Sequence, residues 1–418
     1  MPQPTPAGTL VVGAGQAGVQ LAGSLRQLGD RSPITLVGAE PHPPYQRPPL
    51  SKDFLTGSVA ADSLAFRAPA WYVQQRIALV RGDRVVEVAL PERGRPGTAR
   101  TAGGRTLRFA RLALTVGARP RRLDVPGAGL DGVHYLRDLD DAVRLRENLD
   151  AAARVVVVGG GFIGLEAAAA ARALGKQVTV VEATDRLAPR AVAPVVSEFL
   201  RCAHERRGTT VLLGAEVVGF GGAGRVEAVR LADGRELAAH LVLVGVGVVP
   251  RTELAEAIGL ECDDEIGGIV TDDAARTSHR AVVAAGDCTA LPHPVTGEGR
   301  VRLESVPGAV AQAGTAAATL LGRAPGPRAV PWFWSNQGDL RLQIAGLSTG
   351  YDSVAVRGEP GGESLTALYY RDGALIAVDA VNAPADYLVV RKALATGRTL
   401  PADKAVDAST PLKNLLAG

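Results

Sequence analysis

Two glycine-rich turns with the same spacing lie 146 residues apart in the chain, at residues 13–18 (GAGQAG) and 159–164 (GGGFIG). In the pattern GxGxxG the first glycine makes a tight turn, the second lets the backbone approach a pyrophosphate, and the third lets a helix pack on a strand. The helix that follows offers unpaired N–H groups and a partial positive charge to the phosphates. The two turns therefore predict two dinucleotide-binding sites.

A glutamate follows each turn at the spacing typical of a ribose contact. Glu40 lies 22 residues after Gly18, and Glu182 lies 18 residues after Gly164. A carboxylate accepts hydrogen bonds from a ribose and repels a 2′-phosphate, so Glu182 favours NADH over NADPH. Arg186 is close enough in sequence to keep NADPH as the less favoured alternative. Two such sites in one chain suggest one tightly held flavin, FAD, and one exchanging nicotinamide.

Each turn is predicted to lie between a buried strand and a helix. Residues 9–12 (TLVV) and 34–38 (ITLVG) are apolar runs typical of buried strands, and a helical pattern of apolar residues lies between them. Residues 154–158 (RVVVV) and 177–181 (QVTVV) repeat this arrangement. The order strand, turn, helix, strand is that of a Rossmann unit. Residues 325–418 differ in composition and alternate like strands, so we expect a separate α+β domain there.

Composition and charge exclude several functional classes. The 418 residues contain 46 Lys and Arg against 43 Asp and Glu, a net charge of +3 that is too weak to indicate a nucleic-acid partner. No apolar run reaches the roughly 18 residues of a membrane span, and the first residues lack a signal-peptide pattern. We therefore expect a cytoplasmic protein with no membrane partner. The histidines show no clustered ligand spacing, so no metal site is expected.

Longer strings carry a resemblance to one family. They are VVGAGQAGVQLAGSLRQLG, PYQRPPLSK, YLRDLDDA, VVVVGGGFIGLEAAAAA, GVGVVPRTELAEAIGL, AAGDC, RLESVPGAVAQA and PWFWSNQGDLRLQIAGL. With them the chain resembles the FAD-dependent NAD(P)H ferredoxin reductases of the putidaredoxin/rubredoxin reductase type, in the class I pyridine nucleotide-disulfide oxidoreductase superfamily. The resemblance covers nearly the whole chain.

The resemblance implies an α/β fold of the glutathione-reductase type. Two Rossmann-type nucleotide-binding domains are followed by an α+β C-terminal domain. The implied boundaries are 1–113 and 248–325 for a split FAD-binding domain, 114–247 for the NAD-binding domain, and 326–418 for the C-terminal domain.

The resemblance also assigns cofactor-binding residues. Those implied for FAD are Gly13, Ala14, Gly15, Gly18, Glu40, Arg47, Lys52, Val85, Arg137, Asp287 and Val306. Those implied for the nicotinamide dinucleotide are Gly159, Gly161, Gly164 and Glu182, with Ile163 and Gly247 as further cofactor-binding candidates. Val306 would present its N–H to the pyrimidine edge of the flavin, where a helix N-terminus stabilises the anionic reduced ring.

A lysine and a glutamate are the candidate catalytic residues. In the family, the glutamate at the position of Glu166 lies where the nicotinamide meets the flavin. It pairs there with the lysine at the position of Lys52. We expect the two residues to position the nicotinamide and tune the flavin, without acting as acid or base catalysts in the strict sense. A purely structural salt bridge is the alternative interpretation.

The absence of a redox cysteine near the first turn bears on which group accepts electrons from the flavin. Thiol-using enzymes of this fold carry a redox cysteine after the first turn, but residues 40–55 (EPHPPYQRPPLSKDFL) contain none. The three cysteines are far apart, and Cys288 is best interpreted as a small apolar residue. We therefore predict an external acceptor.

The predicted activity is electron transfer from NADH through FAD to a [2Fe–2S] ferredoxin that serves a cytochrome P450 or a ring-hydroxylating oxygenase. An NADH oxidase or quinone reductase is one alternative, and an NADH-sensing flavoprotein resembling apoptosis-inducing factor is another. The expected oligomeric state is a monomer or a weak homodimer.

Overall fold

The structure is a computed structural model that describes residues 7–92, 95–327 and 329–416. The chain divides into two compact units. Unit 1 consists of Met1–Gln46, Leu64–Arg119 and Val249–Pro331. Unit 2 consists of Arg47–Ser63, Pro120–Val248 and Trp332–Gly418.

The described residues contain 25 strands, ten α-helices and two short 3₁₀ turns. The strands are β1 (Gly8–Val12), β2 (Ile34–Val37), β3 (Ile77–Val80), β4 (Val85–Ala89), β5 (Gly97–Thr101), β6 (Thr106–Leu114), β7 (Ala118–Pro120), β8 (Val133–Tyr135), β9 (Arg154–Val158), β10 (Gln177–Val181), β11 (Thr210–Leu212), β12 (Val217–Gly221), β13 (Ala228–Leu231), β14 (Glu236–Ala238), β15 (Leu241–Val244), β16 (Val248–Pro250), β17 (Ile269–Val270), β18 (Val282–Ala284), β19 (Thr289–Pro292), β20 (Arg300–Val301), β21 (Trp332–Gln337), β22 (Leu340–Gly346), β23 (Ser353–Gly358), β24 (Leu365–Arg371) and β25 (Ala374–Val381). The helices are α1 (Gln16–Gln27), α2 (Pro69–Gln74), α3 (Leu139–Ala151), α4 (Phe162–Ala173), α5 (Pro194–Arg206), α6 (Glu253–Ala257), α7 (Val306–Leu320), α8 (Pro384–Ala395), α9 (Ala402–Ala405) and α10 (Leu412–Leu415), and 3₁₀ turns span Pro48–Ser51 and Ala61–Leu64.

A parallel sheet forms the centre of unit 1. Strands β3, β2, β1 and β6 are neighbours in that order, and β18 pairs with the C-terminal half of β6. Every residue of β1 is buried, as expected for a strand covered on both faces. Helices α1 and α7 pack together beside this sheet, and alanines of α7 contribute small side chains to the shared core. The first glycine turn follows the carboxyl end of β1, where open α/β sheets bind ligands.

A second parallel sheet lies in unit 2, with the order β11, β10, β9, β15, β8. The second glycine turn follows the carboxyl end of β9, and α4 packs on β9 and β10. The last part of the chain adds an antiparallel sheet with the order β21, β22, β25, β24, β23. Strand β21 packs against α4, and so brings the C-terminal sheet beside the helix that the second turn opens.

The predicted secondary structure around both turns is confirmed. The apolar runs at 9–12, 34–38, 154–158 and 177–181 form β1, β2, β9 and β10. The predicted fold class is confirmed as well, since both parallel sheets carry helices and the last sheet is antiparallel.

The predicted domain boundaries remain a prediction. The segment Arg47–Ser63 is an unexpected feature of the chain course, because it belongs to unit 2 while the residues on both sides of it belong to unit 1. Among the described residues, no helix has the length and apolar character needed to cross a membrane.

Candidate dinucleotide sites and the buried Lys52–Glu166 pair

The first glycine turn is shaped by close backbone approaches in unit 1. Gly13 has φ +109°, and a Cβ there would lie 2.2 Å from the carbonyl oxygen of Thr115. A Cβ on Gly18 would lie 1.9 Å from the Gly13 oxygen, so the start of α1 needs glycine at this position. A Cβ on Gly15 would meet no atom within 4 Å. Ala14 packs against the apolar cluster beside α1.

The second turn repeats this geometry in unit 2. Gly159 has φ +106°, and a Cβ there would lie 2.4 Å from the Gly245 oxygen. A Cβ on Gly164 would lie 2.2 Å from the Gly159 oxygen, whereas one on Gly161 would meet nothing within 4 Å. Ile163, in the first turn of α4, is 47% exposed, which is unusual for a large apolar side chain.

Both helices begin without a side-chain cap. Gly15 and Gly161 are the N-cap residues of α1 and α4, and neither N-terminus receives a capping hydrogen bond from a side chain. The first N–H groups of each helix are thus open to an anion, and the space above each glycine is empty. These two cradles fit the pyrophosphate of a dinucleotide.

The two predicted ribose glutamates have different partners. Glu40 accepts a hydrogen bond of 2.5 Å from the Tyr45 hydroxyl. Glu182 accepts from the backbone N–H of Gly160 at 2.6 Å, and from the N–H and hydroxyl of Thr184 at 2.9 and 2.8 Å. Tyr45 and Thr184 were not identified from the sequence. Their nearness along the chain to each glutamate is the only signal that points to them.

Three more of the predicted FAD residues lie in unit 1 together with the first turn. Val85 is buried at the start of β4. Asp287 follows Gly286, whose N–H donates to Gln312 Oε1 at 2.8 Å. Val306 is the first residue of α7.

Gln312, which sequence analysis missed, has a free donor. The Oε1 atom of Gln312 accepts from Gly286 and from the Thr289 hydroxyl, each at 2.8 Å. Its Nε2 atom is buried and has no hydrogen-bond partner within the part of the chain that the structure describes. A buried donor without a partner costs free energy, and a polar cofactor atom would remove that cost.

Arg47 and Arg137 meet in unit 2. The Arg47 guanidinium donates to the carbonyl oxygen of Arg137 at 2.5 Å. Arg137 precedes α3, which begins with a capping box formed by Asp138 and Asp141. Gly247, also in unit 2, has φ +96°, and a Cβ there would lie 3.4 Å from the Arg190 guanidinium.

Lys52 and Glu166 form the expected pair. Lys52 Nζ lies 2.6 Å from Glu166 Oε2, and it also donates to the Pro48 carbonyl oxygen at 2.9 Å. The Ser51 hydroxyl donates to the same carboxylate oxygen at 2.5 Å, and the Ser335 hydroxyl donates to Oε1 at 2.7 Å. The 3₁₀ turn Pro48–Ser51 packs on α4, and so carries Ser51 and Lys52 to Glu166.

The described cysteines offer no exposed, acidic thiol near the first turn. Cys202, Cys262 and Cys288 are all free. Cys288 is fully buried in an apolar cluster, and burial raises the pKa of its thiol to about 11. A thiol in that environment stays protonated and is a poor nucleophile.

Comparison with known proteins decides the family. The model of the family "Pyridine nucleotide-disulphide oxidoreductase" matches residues 8–313, and that of "Reductase C-terminal" matches residues 332–416. The chain belongs to the pyridine nucleotide-disulphide oxidoreductase family. It is therefore an oxidoreductase, and the family implies FAD and NAD(P)H as its cofactors.

Two relatives of this chain are named as reductases of small electron-carrier proteins, rhodocoxin and putidaredoxin. Rhodocoxin reductase from Rhodococcus erythropolis is 42% identical over 409 residues, which cover 98% of this chain and 94% of the relative. Putidaredoxin reductase from Pseudomonas putida is 38% identical, with 98% of this chain and 96% of the relative covered.

Solved structures give the same result. The covalent complex of putidaredoxin reductase with putidaredoxin matches with a TM-score of 0.92 at 37% identity, covering 99% of both chains. A ferredoxin reductase from Rhodopseudomonas palustris matches with a TM-score of 0.92 at 41% identity, covering 98% of this chain and 99% of that one. The predicted resemblance to reductases of the putidaredoxin type is thus confirmed.

Proposed function

We propose that this oxidoreductase passes electrons from NADH through FAD to a [2Fe–2S] ferredoxin that serves a cytochrome P450 or a ring-hydroxylating oxygenase. The observation that carries the proposal is the repeated cradle, one in each unit, in a chain whose residues 40–55 contain no cysteine. The names of the relatives, which include rhodocoxin, putidaredoxin and terpredoxin reductases, support a ferredoxin as the acceptor.

FAD, when bound, supplies the ability to take a hydride as an electron pair and to release electrons singly. We assign its pyrophosphate to the first cradle, formed by Gly13, Ala14, Gly15 and Gly18. Glu40 would hold the adenosine ribose. The remaining contacts would come from Arg47, Lys52, Val85, Arg137, Asp287 and Val306.

NADH is assigned to the second cradle. Its pyrophosphate would lie on Gly159, Gly161 and Gly164, its ribose on Glu182, and its apolar surface on Ile163, with Gly247 beside it. Arg186 donates to the carbonyl oxygens of Val192 and Pro189 at 2.6 and 2.7 Å, and to the Ser197 hydroxyl at 3.3 Å. A guanidinium held by its own loop is not available to a 2′-phosphate, which supports NADH over NADPH.

Lys52 and Glu166 are assigned to positioning the nicotinamide and tuning the flavin. Glu166 is buried and Lys52 half-buried, with side-chain exposures of 3% and 15%, and both oxygens of the Glu166 carboxylate accept hydrogen bonds. A charge pair held in this way presents a fixed electrostatic environment, which is what charge transfer in a buried site requires.

Stopped-flow spectroscopy of the FAD-loaded protein tests the proposal. We expect NADH to bleach the flavin rapidly, and subsequent mixing with a [2Fe–2S] ferredoxin from the same cell to reduce that ferredoxin rapidly. NADPH should bleach the flavin at least about tenfold more slowly, because the 2′-phosphate meets Glu182. Reoxidation by oxygen or quinone alone would replace the proposal with an oxidase, and a long-lived flavin–nicotinamide complex would replace it with a sensor.

A further inference from the structure

A line of buried polar side chains in unit 2 leads from His204 to Glu166. His204 Nε2 lies 2.8 Å from Gln337 Oε1, Gln337 Nε2 donates to Ser335 Oγ at 3.2 Å, and Ser335 Oγ donates to Glu166 Oε1 at 2.7 Å. His204, Gln337, Ser335 and Glu166 are 2%, 1%, 0% and 4% exposed. Buried polar groups are costly unless each is satisfied, so this line is a built feature of the core.

Three different elements supply these side chains. Glu166 lies on α4, His204 lies in the last turn of α5, and Ser335 and Gln337 lie two residues apart on β21. Residues two apart on a strand share one face, so the strand presents both to the interior together. The string PWFWSNQ, which sequence analysis singled out, thus contains two members of the line.

The hydrogen bonds of the line all point toward the carboxylate. A Glu166 carboxylate can only accept, so Ser335 must give its single hydroxyl proton to Oε1. The Ser335 oxygen then accepts the Gln337 amide N–H, which leaves the Gln337 oxygen facing His204. The opposite amide orientation would set two acceptor oxygens against each other. His204 is therefore fixed as a donor with its proton on Nε2.

The surroundings of His204 agree with this form. Burial lowers the pKa of His204, Arg207 lowers it further, and the Gln337 hydrogen bond and Asp339 raise it. Arg207 and Asp339 are the charged groups that act on the imidazole, whereas Lys52 faces the other end of the line at Glu166. The imidazole is thus neutral around neutral pH, with its one N–H committed to Gln337.

We propose that Ser335, Gln337 and His204 are positioning residues that hold the Glu166 carboxylate oriented toward Lys52. This inference rests on the proposed function of the Lys52–Glu166 pair in positioning the nicotinamide. The line supplies Oε1 with a donor that is itself polarised by two further donors, and Ser51 and Lys52 supply Oε2. The polar line of the C-terminal sheet is therefore part of the machinery around the pair.

Nitrogen-15 NMR of histidine-labelled protein tests the direction of the hydrogen bonds in the line, because it reports the tautomer of His204. The measurement does not depend on enzymatic activity. The chain has six histidines, and the signal of His204 is assigned by its loss in His204→Phe. We expect the neutral Nε2–H form at neutral pH in the FAD-loaded protein. The Nδ1–H form would overturn the direction of the line, and with it the proposal.

Thermal unfolding at neutral pH tests the effect on Glu166. In Ser335→Ala the buried Oε1 atom of Glu166 loses its donor and Gln337 Nε2 loses its acceptor. Ser24→Ala is the control, because Ser24 is buried in α1, 3.1 Å from Gln20 Nε2, and lies outside the line. Ser335→Ala should lower the Tm clearly more than Ser24→Ala, and equal losses of Tm in the two variants would overturn the proposal.

A graded series tests the positioning role in the loaded enzyme. We expect the limiting rate of flavin reduction by NADH to fall by about tenfold in Ser335→Ala, less in Gln337→Met and least in His204→Phe, with little change in the NADH dissociation constant. His204→Gln, which restores an N–H donor, should recover part of the loss. Equal effects along the series, or no recovery, would mean that the line acts only through packing. The tautomer of His204 and the Tm of Ser335→Ala test the polar line, and reduction of the wild type by NADH separately tests the proposed function.

Discussion

Glu166 and Asp379 are the buried acidic side chains among the described residues of unit 2, and their partners differ. Glu166 accepts from Lys52, Ser51 and Ser335. Asp379, on β25, is 1% exposed and accepts from the Tyr369 hydroxyl, while its Oδ1 has no hydrogen-bond partner among the described residues. Burial raises the pKa of Asp379 to about 7, and the bond from Tyr369 only partly opposes this rise.

The difference shows how the fold uses a buried acid in two ways. A carboxylate remains charged inside a protein only where a cation and donors replace the lost water. Glu166 has both, since Lys52 is its cation and Ser51 and Ser335 are its donors. Asp379 lacks a cation and takes up a proton more readily, and its partner Tyr369 also accepts the N–H of Ala193 at 3.1 Å, just before α5. Asp379 thus serves the attachment of α5 to the C-terminal sheet.

The largest effect is expected from removal of Lys52, the cation that pairs with Glu166. Lys52→Met should destabilise the folded protein by about 3–5 kcal/mol, because it leaves the Glu166 charge buried without its partner. It should also slow flavin reduction by NADH, as should Glu166→Gln. Urea unfolding of the FAD-loaded protein measures the first effect, with the exposed Lys404→Met as control. A loss no larger than that of the control, together with unchanged reduction rates, would contradict the assigned role.

Asp379→Asn tests whether the raised pKa of Asp379 makes the stability of the protein depend on pH. An aspartate in the unfolded chain has its ordinary pKa of 3.8, whereas the folded wild type keeps the Asp379 proton up to its raised pKa of about 7. Stability therefore falls as the pH rises through this window and levels off above it. The variant should lack this decline, a difference of about 2 kcal/mol between mildly acid and alkaline solution. Tm values across that range measure it, and identical slopes in both proteins would contradict a protonated Asp379.

Tyr369→Phe is expected to have the smallest effect of the three, a loss of about 1–2 kcal/mol, because it removes the partner of both Asp379 and the Ala193 N–H. Tyr370→Phe is a matched control on the same strand, since the buried Tyr370 hydroxyl has no hydrogen-bond partner among the described residues. Chemical unfolding of both variants gives the comparison. Equal losses would show that the Tyr369 hydroxyl does no more than fill space.

Local pattern accounts for the parts of the fold and site that the sequence predicts. The two turns, their strands and helices, and the spacing to Glu40 and Glu182 all lie within short segments, where glycine and apolar periodicity are direct signals. The Lys52–Glu166 pair was predicted only through the resemblance to a family, because 114 residues separate its members and no period links them.

The polar line and Asp379 could not be predicted from local pattern. Ser335 and Gln337 look like ordinary polar residues of an edge strand until β21 packs against α4. His204 fits an amphipathic helix, and its donor role depends on a glutamine 133 residues later. Asp379 breaks an apolar run in β25, but only the position of Tyr369 across the pair of strands shows what holds it. In each case tertiary packing, which sequence period does not encode, decides the partner.

The course of the chain has a consequence for synthesis on the ribosome. The chain passes from one unit to the other five times, after residues 46, 63, 119, 248 and 331. The parallel sheet of unit 1 is not complete until β18 has emerged, and the last sheet of unit 2 awaits β25. Neither unit can complete its sheets until most of the chain has been synthesised, so folding of the nascent protein finishes late. Because each unit is built from three separate segments, no single cut or truncation yields either unit as a continuous piece.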